Sequence, residues 1–93
     1  MRQEEAEIVA IKAVEWLVGA DERLLSRFFS TTGATADDFK RVAEDIDFMA
    51  TVLEFILAQD ETVLEFCEHA DLPNDAPRLA RGAMPGGNTP HWT

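Results

Sequence analysis

Apolar positions along this chain recur with the period of an α-helix. Between residues 3 and 18 they fall three and four positions apart, and in the second half of this segment only a narrow stripe with Lys12 and Glu15 is polar. The apolar positions are Ile8, Ile11, Val14, Leu17 and Val18, with Val9 and Trp16 on a second edge. So wide an apolar surface predicts a helix that packs against more than one neighbour.

Capping residues place the next two helices. Gly19 is expected to end the first helix, because glycine adopts the left-handed conformation without a Cβ penalty. Asp21 is predicted to cap a second helix that ends near Gly33, and Thr35 to start a third, shorter one. The expected buried face of the third helix is Phe39, Val42 and Ala43.

A second broadly apolar helix is predicted over residues 47 to 58. Either Asp45 or Asp47 opens it, and Thr51 and Glu54 form its polar stripe. Its apolar positions are Phe48, Met49, Val52, Leu53, Phe55, Ile56 and Leu57. Together with residues 3 to 18, this segment is expected to form the centre of the fold.

The last predicted helices are short. Asp60 and Glu61 are expected to cap a fifth helix ending before Pro73, and residues 74 to 82 predict a sixth around Leu79. No segment alternates at period two, so β-structure is not expected. The prediction is an all-α, compact bundle of five to six short helices, with one domain over residues 1–82 and a flexible tail over residues 83–93.

The bundle has a candidate internal repeat. Shifting the sequence against itself places Trp16 on Phe55, Leu17 on Ile56, Val18 on Leu57, Asp21 on Asp60 and Glu22 on Glu61. One interpretation is a pseudo-duplicated three-helix unit. The other is that any two amphipathic helices joined by an acidic cap align this well.

Acidic side chains dominate the charge of the chain. There are 18 Asp and Glu against 8 Lys and Arg, for a net charge of −10. A surface of this sign repels phosphate groups, so nucleic acid and anionic membranes are not expected partners. The start of the chain lacks the pattern of a secretory signal, and Cys67 is the single cysteine. These features predict a cytoplasmic protein.

Chemistry-bearing residues are few, and each has a structural alternative. Glu65 and His69 lie four apart on one predicted helix, a spacing that can present two metal ligands, but it also suits an exposed ion pair. Cys67 is a candidate nucleophile or a buried thiol. The pairs at Asp21, Asp37 and Asp60 are candidate acid/base carboxylates, although capping explains them. We therefore predict no metal ligand, no cofactor and no catalytic residue.

Aromatic residues supply the candidate interaction surface. Trp16 and Phe55 lie at the edges of the two broad apolar helices, where they either pack in the core or anchor a partner or a second copy. Trp92, beside His91 in the tail, is a candidate docking motif. The preferred hypothesis is a helical protein-interaction or regulatory module. The alternatives are a metal-dependent or hydrolytic enzyme using helix carboxylates and His69, and an acidic mimic of nucleic acid that binds a basic protein groove.

The order of hydrophobic and capping positions resembles that of a known family. These positions are Trp16 to Val18, Asp21 and Glu22, Leu25, Phe28 and Phe29, Gly33, Asp47 to Leu57, Asp60 and Glu61, Leu64, Phe66, Leu72 and Pro73. Over residues 3 to 82 the order is similar to small alphaproteobacterial proteins known as domain of unknown function 3572. The resemblance implies a bacterial, cytoplasmic, stand-alone helical domain, and it assigns no activity, cofactor or catalytic residue.

Overall fold

The computed structural model of the protein describes residues 1 to 85. Across these residues the chain forms six α-helices, one 3₁₀ turn and no strand. The helices are α1 (Gln3–Gly19), α2 (Glu22–Thr32), α3 (Ala36–Lys40), α4 (Ile46–Leu57), α5 (Asp60–Ala70) and α6 (Ala76–Gly82), with the 3₁₀ turn at Val42–Glu44. The predicted all-α helical bundle is confirmed.

Helices α1 and α4 form the centre of the bundle. They pack against each other, and α2, α5 and α6 pack against both of them. The buried side of α1 includes Ala6, Ala10 and Ala13, whose small side chains let neighbouring helices approach closely. The opposite side of the core is filled by the large apolar residues of α4. Packing on several sides is what the broad apolar surfaces of these two helices predicted.

A cluster of phenylalanines joins α2 and α3 to α4. Phe28 is fully buried, and its ring centroid lies 5.1 Å from that of Phe55 and 5.5 Å from that of Phe39. The ring of Phe48 completes the cluster at 6.0 Å from Phe28. Helix α3 has only five residues. Its Phe39 ring therefore holds it to the core through aromatic packing rather than through an extended buried face.

Most predicted caps form as expected. The Asp21 side chain accepts a hydrogen bond from the backbone N–H of Arg23 at 2.9 Å, and Asp45 accepts one from Phe48 at 3.1 Å. Thr35 and Asp38 form a capping box at the start of α3. Gly33 ends α2 in the left-handed conformation, with φ of 74°.

Two local predictions were wrong, and one helix end was predicted correctly but with the wrong backbone conformation. Asp60 does not cap α5, because the extended residue before the helix is Gln59 and Asp60 is already helical. Gly19 is the last residue of α1, as predicted, but the chain leaves the helix through an extended Ala20 and not through a left-handed glycine. Ala43 is exposed, since the chain changes to a 3₁₀ turn that directs Val42 inward instead.

The folded domain extends beyond the predicted boundary at residue 82. Met84 is 3% exposed and belongs to the hydrophobic core. The predicted tail over residues 83–93 therefore begins with residues that pack against the domain. Its remainder, including His91 and Trp92, lies outside the described residues.

Candidate functional site

Trp16 and Phe55, the two aromatic residues singled out from the sequence, lie in the core. Trp16 is 9% exposed and packs on Phe66, with ring centroids 5.7 Å apart. Phe55 is 7% exposed, and the guanidinium of Arg27 lies 5.3 Å from its ring centroid. Both rings therefore follow the core-packing alternative and present no exposed aromatic anchor. An interaction surface at Trp92 stays a prediction, because that residue lies outside the described part of the chain.

The large apolar side chains that do reach the surface are different ones. Within residues 1 to 85 these are Met1, Ile8, Val18, Leu64 and Leu79. Three of the five, Met1, Ile8 and Leu79, line one groove of about 270 Å³. We call it the α1/α6 groove, and its lining is Met1, Glu5, Ile8, Val9, Leu72, Pro73, Asp75, Ala76 and Leu79.

Helix geometry places the α1 wall of this groove. Glu5, Ile8 and Val9 are three and four residues apart, so they share one flank of α1. Ile8 follows Ala6 by about 200° around the helix, which turns it away from the buried alanine side. Val9 is buried and forms the floor, whereas Ile8 is exposed at the rim.

The opposite wall depends on how α5 ends. Asp71 adopts a left-handed conformation with φ of 56°, and the N–H of Leu72 donates to the carbonyl of Cys67 at 2.9 Å. This is the Schellman arrangement, which reverses the chain after a helix. It brings Leu72 and Pro73 to the groove, from where the chain continues into α6 and Leu79.

The electrostatics of the groove are simple. Glu5 and Asp75 are the charged residues of its lining, and no Lys or Arg lines it. Neither carboxylate has a hydrogen bond or an ion pair within residues 1 to 85. Elsewhere in that range Lys40 and Arg41 on or beside α3 pair with Asp37 and Asp38. The groove is thus an apolar surface with two acidic side chains that form no salt bridge within the described residues.

A larger and more polar cleft of about 740 Å³ lies between α2 and α5. Arg23 and Arg27 line it from α2, and Glu61 and Glu65 from α5, with Trp16 at its base. Guanidinium and carboxylate groups are both present, so the cleft favours no single sign of ligand charge. We interpret its walls as two solvated helix faces.

The residues considered for catalysis do not assemble into a centre. Glu65 lines the α2/α5 cleft, but His69 is not part of that lining, and no ion pair joins the two side chains. Cys67 is buried, and this burial, with a smaller effect of the negative charge of Asp75, raises the pKa of its thiol. A nucleophilic cysteine requires the opposite shift. Across residues 1 to 85, no three His, Cys, Asp or Glu residues cluster to hold a metal ion.

Comparison with known protein families identifies the chain at the family level. The family model described as "Protein of unknown function (DUF3572)" matches residues 3–87. The chain belongs to this family. No curated protein and no solved structure matches it. Membership in DUF3572 assigns no activity.

None of the helices in the described residues combines the length and the apolar character needed to cross a bilayer.

Sequence reasoning missed Ile8 and Leu79 as surface residues, since it placed Ile8 on the packed side of α1. The alanines at positions 6, 10 and 13 carried the missing signal, because they mark the side of α1 that faces its neighbours.

Proposed function

We propose that the protein is a small helical protein-interaction module that binds its partner through the α1/α6 groove. The observation that supports this is the convergence of exposed apolar side chains from two helices. Ile8 of α1 is 55% exposed and Leu79 of α6 is 39% exposed, and both line the same groove. Exposed apolar residues that are contiguous mark interaction sites more often than scattered ones do.

The dimensions of the groove favour a protein partner over a small molecule. Its volume of about 270 Å³ lies just below the range of about 300 to 1,000 Å³ typical of small-molecule pockets. Specific small-molecule sites also place several polar groups to orient the ligand. Here Glu5 and Asp75 supply the only charged side chains of the lining. An apolar side chain of another protein needs no such orientation.

The affinity for a partner depends on how much apolar surface of the groove the partner can cover. Full burial of an exposed Ile or Leu side chain stabilises a complex by roughly 1.5 to 3 kcal/mol. Ile8 and Leu79 are already half covered, so each contributes less than that. A groove of this size suits the centre of a weak or transient interface, as in regulation, rather than an obligate complex. We place this interaction in the cytoplasm, where a buried free cysteine such as Cys67 stays reduced.

Matched surface variants test the proposal. The test variant carries Ile8→Ser and Leu79→Ser, and the control carries Val18→Ser and Leu64→Ser. The control residues are exposed to a similar or greater degree, at 57% and 52%, but they lie outside the groove. Each tagged protein is checked for helicity and then used to retain partners from an extract of the native cell, with retained proteins quantified by mass spectrometry.

The expected result is a partner retained by the unaltered protein and by the control variant but lost from the groove variant. Equal retention by all three proteins, or equal loss from both variants, would show that the α1/α6 groove is not the binding surface.

A further inference from the structure

We infer that the α1/α6 groove binds a cationic amphipathic helix, with apolar residues on one face and Lys or Arg beside them. This inference rests on the proposed function, because it names the partner of the same surface. Three features carry it: the negative sign of the charged side chains in the groove, the apolar and non-aromatic character of its other side chains, and the small number of exposed large apolar side chains elsewhere in the described residues.

The charge of the rim selects for a basic partner. Glu5 and Asp75 are the two acidic residues of an otherwise apolar lining, and neither forms a salt bridge within residues 1 to 85. The whole chain carries a net charge of −10. Hydrogen bonds between Lys or Arg and such carboxylates are shorter and stronger than those between neutral groups. Charge complementarity of this kind also accelerates association and rejects acidic competitors.

Of four common modes of peptide recognition, namely strand addition, polyproline recognition, phosphopeptide recognition and helix docking, the groove offers the surface needed for helix docking. Strand addition needs a free sheet edge, and the described residues contain no strand. Polyproline recognition needs an aromatic lining, and phosphopeptide recognition needs clustered arginines. The groove lining contains neither aromatic rings nor arginines. Docking of an amphipathic helix needs an apolar groove between helices, which is what Ile8 and Leu79 provide.

A second copy of the chain does not fit the same surface. In a symmetric dimer, the groove residues of one copy face the groove residues of the other. Glu5 and Asp75 would then meet like charges, between two molecules that each carry −10. A heterologous contact would need several apolar side chains outside the groove on one copy to insert into the groove of the other copy. In residues 1 to 85 the exposed large apolar side chains outside the groove are two, Val18 on α1 and Leu64 on α5.

Three synthetic peptides of about 15 residues, a length at which helices begin to form in water, serve as probes. The first has Leu at positions i, i+3, i+4 and i+7, Lys at four positions that flank this apolar face, and Ala elsewhere to favour the helix. The second has the same composition in an order that breaks the apolar face. The third replaces each Lys of the first with Glu. Binding to the whole protein is measured by fluorescence anisotropy and by calorimetry.

Two pairs of variants separate the contributions to binding. The apolar pair is Ile8→Ser with Leu79→Ser against Val18→Ser with Leu64→Ser. The charge pair is Glu5→Gln with Asp75→Asn against Glu15→Gln with Glu68→Gln, so that both members lose two negative charges. Glu15 and Glu68 are exposed and lie outside the groove.

The amphipathic basic peptide is expected to bind at least about tenfold more tightly than the scrambled one, and the apolar groove variant to lose about tenfold in affinity. The groove charge variant is expected to weaken binding about threefold to tenfold, with the matched control changing less than about twofold. Equal binding of the ordered and scrambled peptides, or equal weakening by the two charge variants, would overturn the inference as non-specific attraction.

Other outcomes separate the inference from the proposed function. Preferential binding of the Glu peptide, or a dimer in light scattering that Ile8→Ser dissociates, would overturn the basic-helix inference and leave the groove as a protein-binding surface. If the Ile8→Ser, Leu79→Ser variant bound every peptide and every partner as tightly as the unaltered protein, the proposed function would be contradicted as well.

Discussion

Ile8 of α1 and Leu79 of α6 line one apolar groove although they stand near opposite ends of the described chain. The two helices pack against each other along the bundle. Beyond that contact their outer flanks leave these two side chains open to solvent. The arrangement separates residues that hold the fold together from residues that are free to contact another protein.

The first prediction is that Ile8 contributes little to stability. Because only about half of its side chain is covered in the free protein, Ile8→Ser is expected to lower the free energy of unfolding by about 1 kcal/mol or less. Leu17→Ala, on the buried side of the same helix, is expected to cost about 2 to 5 kcal/mol. Urea denaturation followed by circular dichroism measures both. A cost for Ile8→Ser close to that of Leu17→Ala would mean that Ile8 is covered in the free protein.

The second prediction concerns the contact between Trp16 and Phe66. Ring centroids 5.7 Å apart at an interplanar angle of 49° are a favourable aromatic arrangement. A double-mutant cycle with Trp16→Leu and Phe66→Leu is expected to give a coupling energy of about 0.5 to 1.5 kcal/mol. Additive effects of the two substitutions would show that the rings do not interact in solution.

The third prediction compares two aspartates at helix starts. Asp21→Ala removes a hydrogen bond to the N–H of Arg23 and is expected to cost about 1 kcal/mol. Asp60→Ala removes no capping hydrogen bond, so its cost is limited to the lost attraction between the carboxylate and the positive end of the helix dipole. Chemical denaturation in about 1 M salt, which screens the dipole, separates the two effects. An equal loss for both variants in that salt would contradict the cap assignments.

The fourth prediction is a pH dependence that originates at Cys67. Burial raises the pKa of this thiol in the folded state, with a further contribution from Asp75. The folded protein therefore keeps its thiol proton to higher pH than the unfolded chain, whose thiol ionises near pH 8.5. The stability that this provides is fully present below that pH and is lost as the pH rises through the folded-state pKa.

Comparison with Cys67→Ala isolates this effect from other titrating groups. The difference in unfolding free energy between the unaltered protein and the variant is expected to be constant below pH 8 and to shrink as the pH rises above about 8.5. Asp75→Asn is expected to lower the pKa of the thiol. A difference that stays constant across this range, measured by urea denaturation, would contradict the pKa shift.

The sequence was sufficient to predict the helices because their signals are local. Asp21, Gly33 and Thr35 set helix ends through hydrogen bonds and backbone angles within a few residues of themselves. The assignment of Asp60 as a cap was wrong because the residue that becomes the N-cap of α5, Gln59 or Asp60, depends on where α4 ends and on the path of the chain after it. Met84 joined the core through packing with distant helices, which no local pattern reports.

The binding surface was harder to predict for a related reason. Hydrophobicity alone places Ile8 with Ile11 and Val14 on a packed side of α1, while tertiary packing centres that side on the alanines and Leu17. Conversely, Trp16 and Phe55 have the size of interface anchors but fill the core between helices. Which of two apolar edges is covered depends on the positions of α5 and α6, and the sequence of α1 does not contain that information.

The most direct test of the α1/α6 groove is a titration of the protein with the amphipathic basic peptide, followed by methyl signals in NMR spectra. We predict that the methyl signals of Ile8, Leu72 and Leu79 shift with the peptide concentration, whereas those of Val18 and Leu64 stay in place. Shifts confined to Val18 and Leu64, or spread equally over all exposed methyl groups, would contradict this prediction.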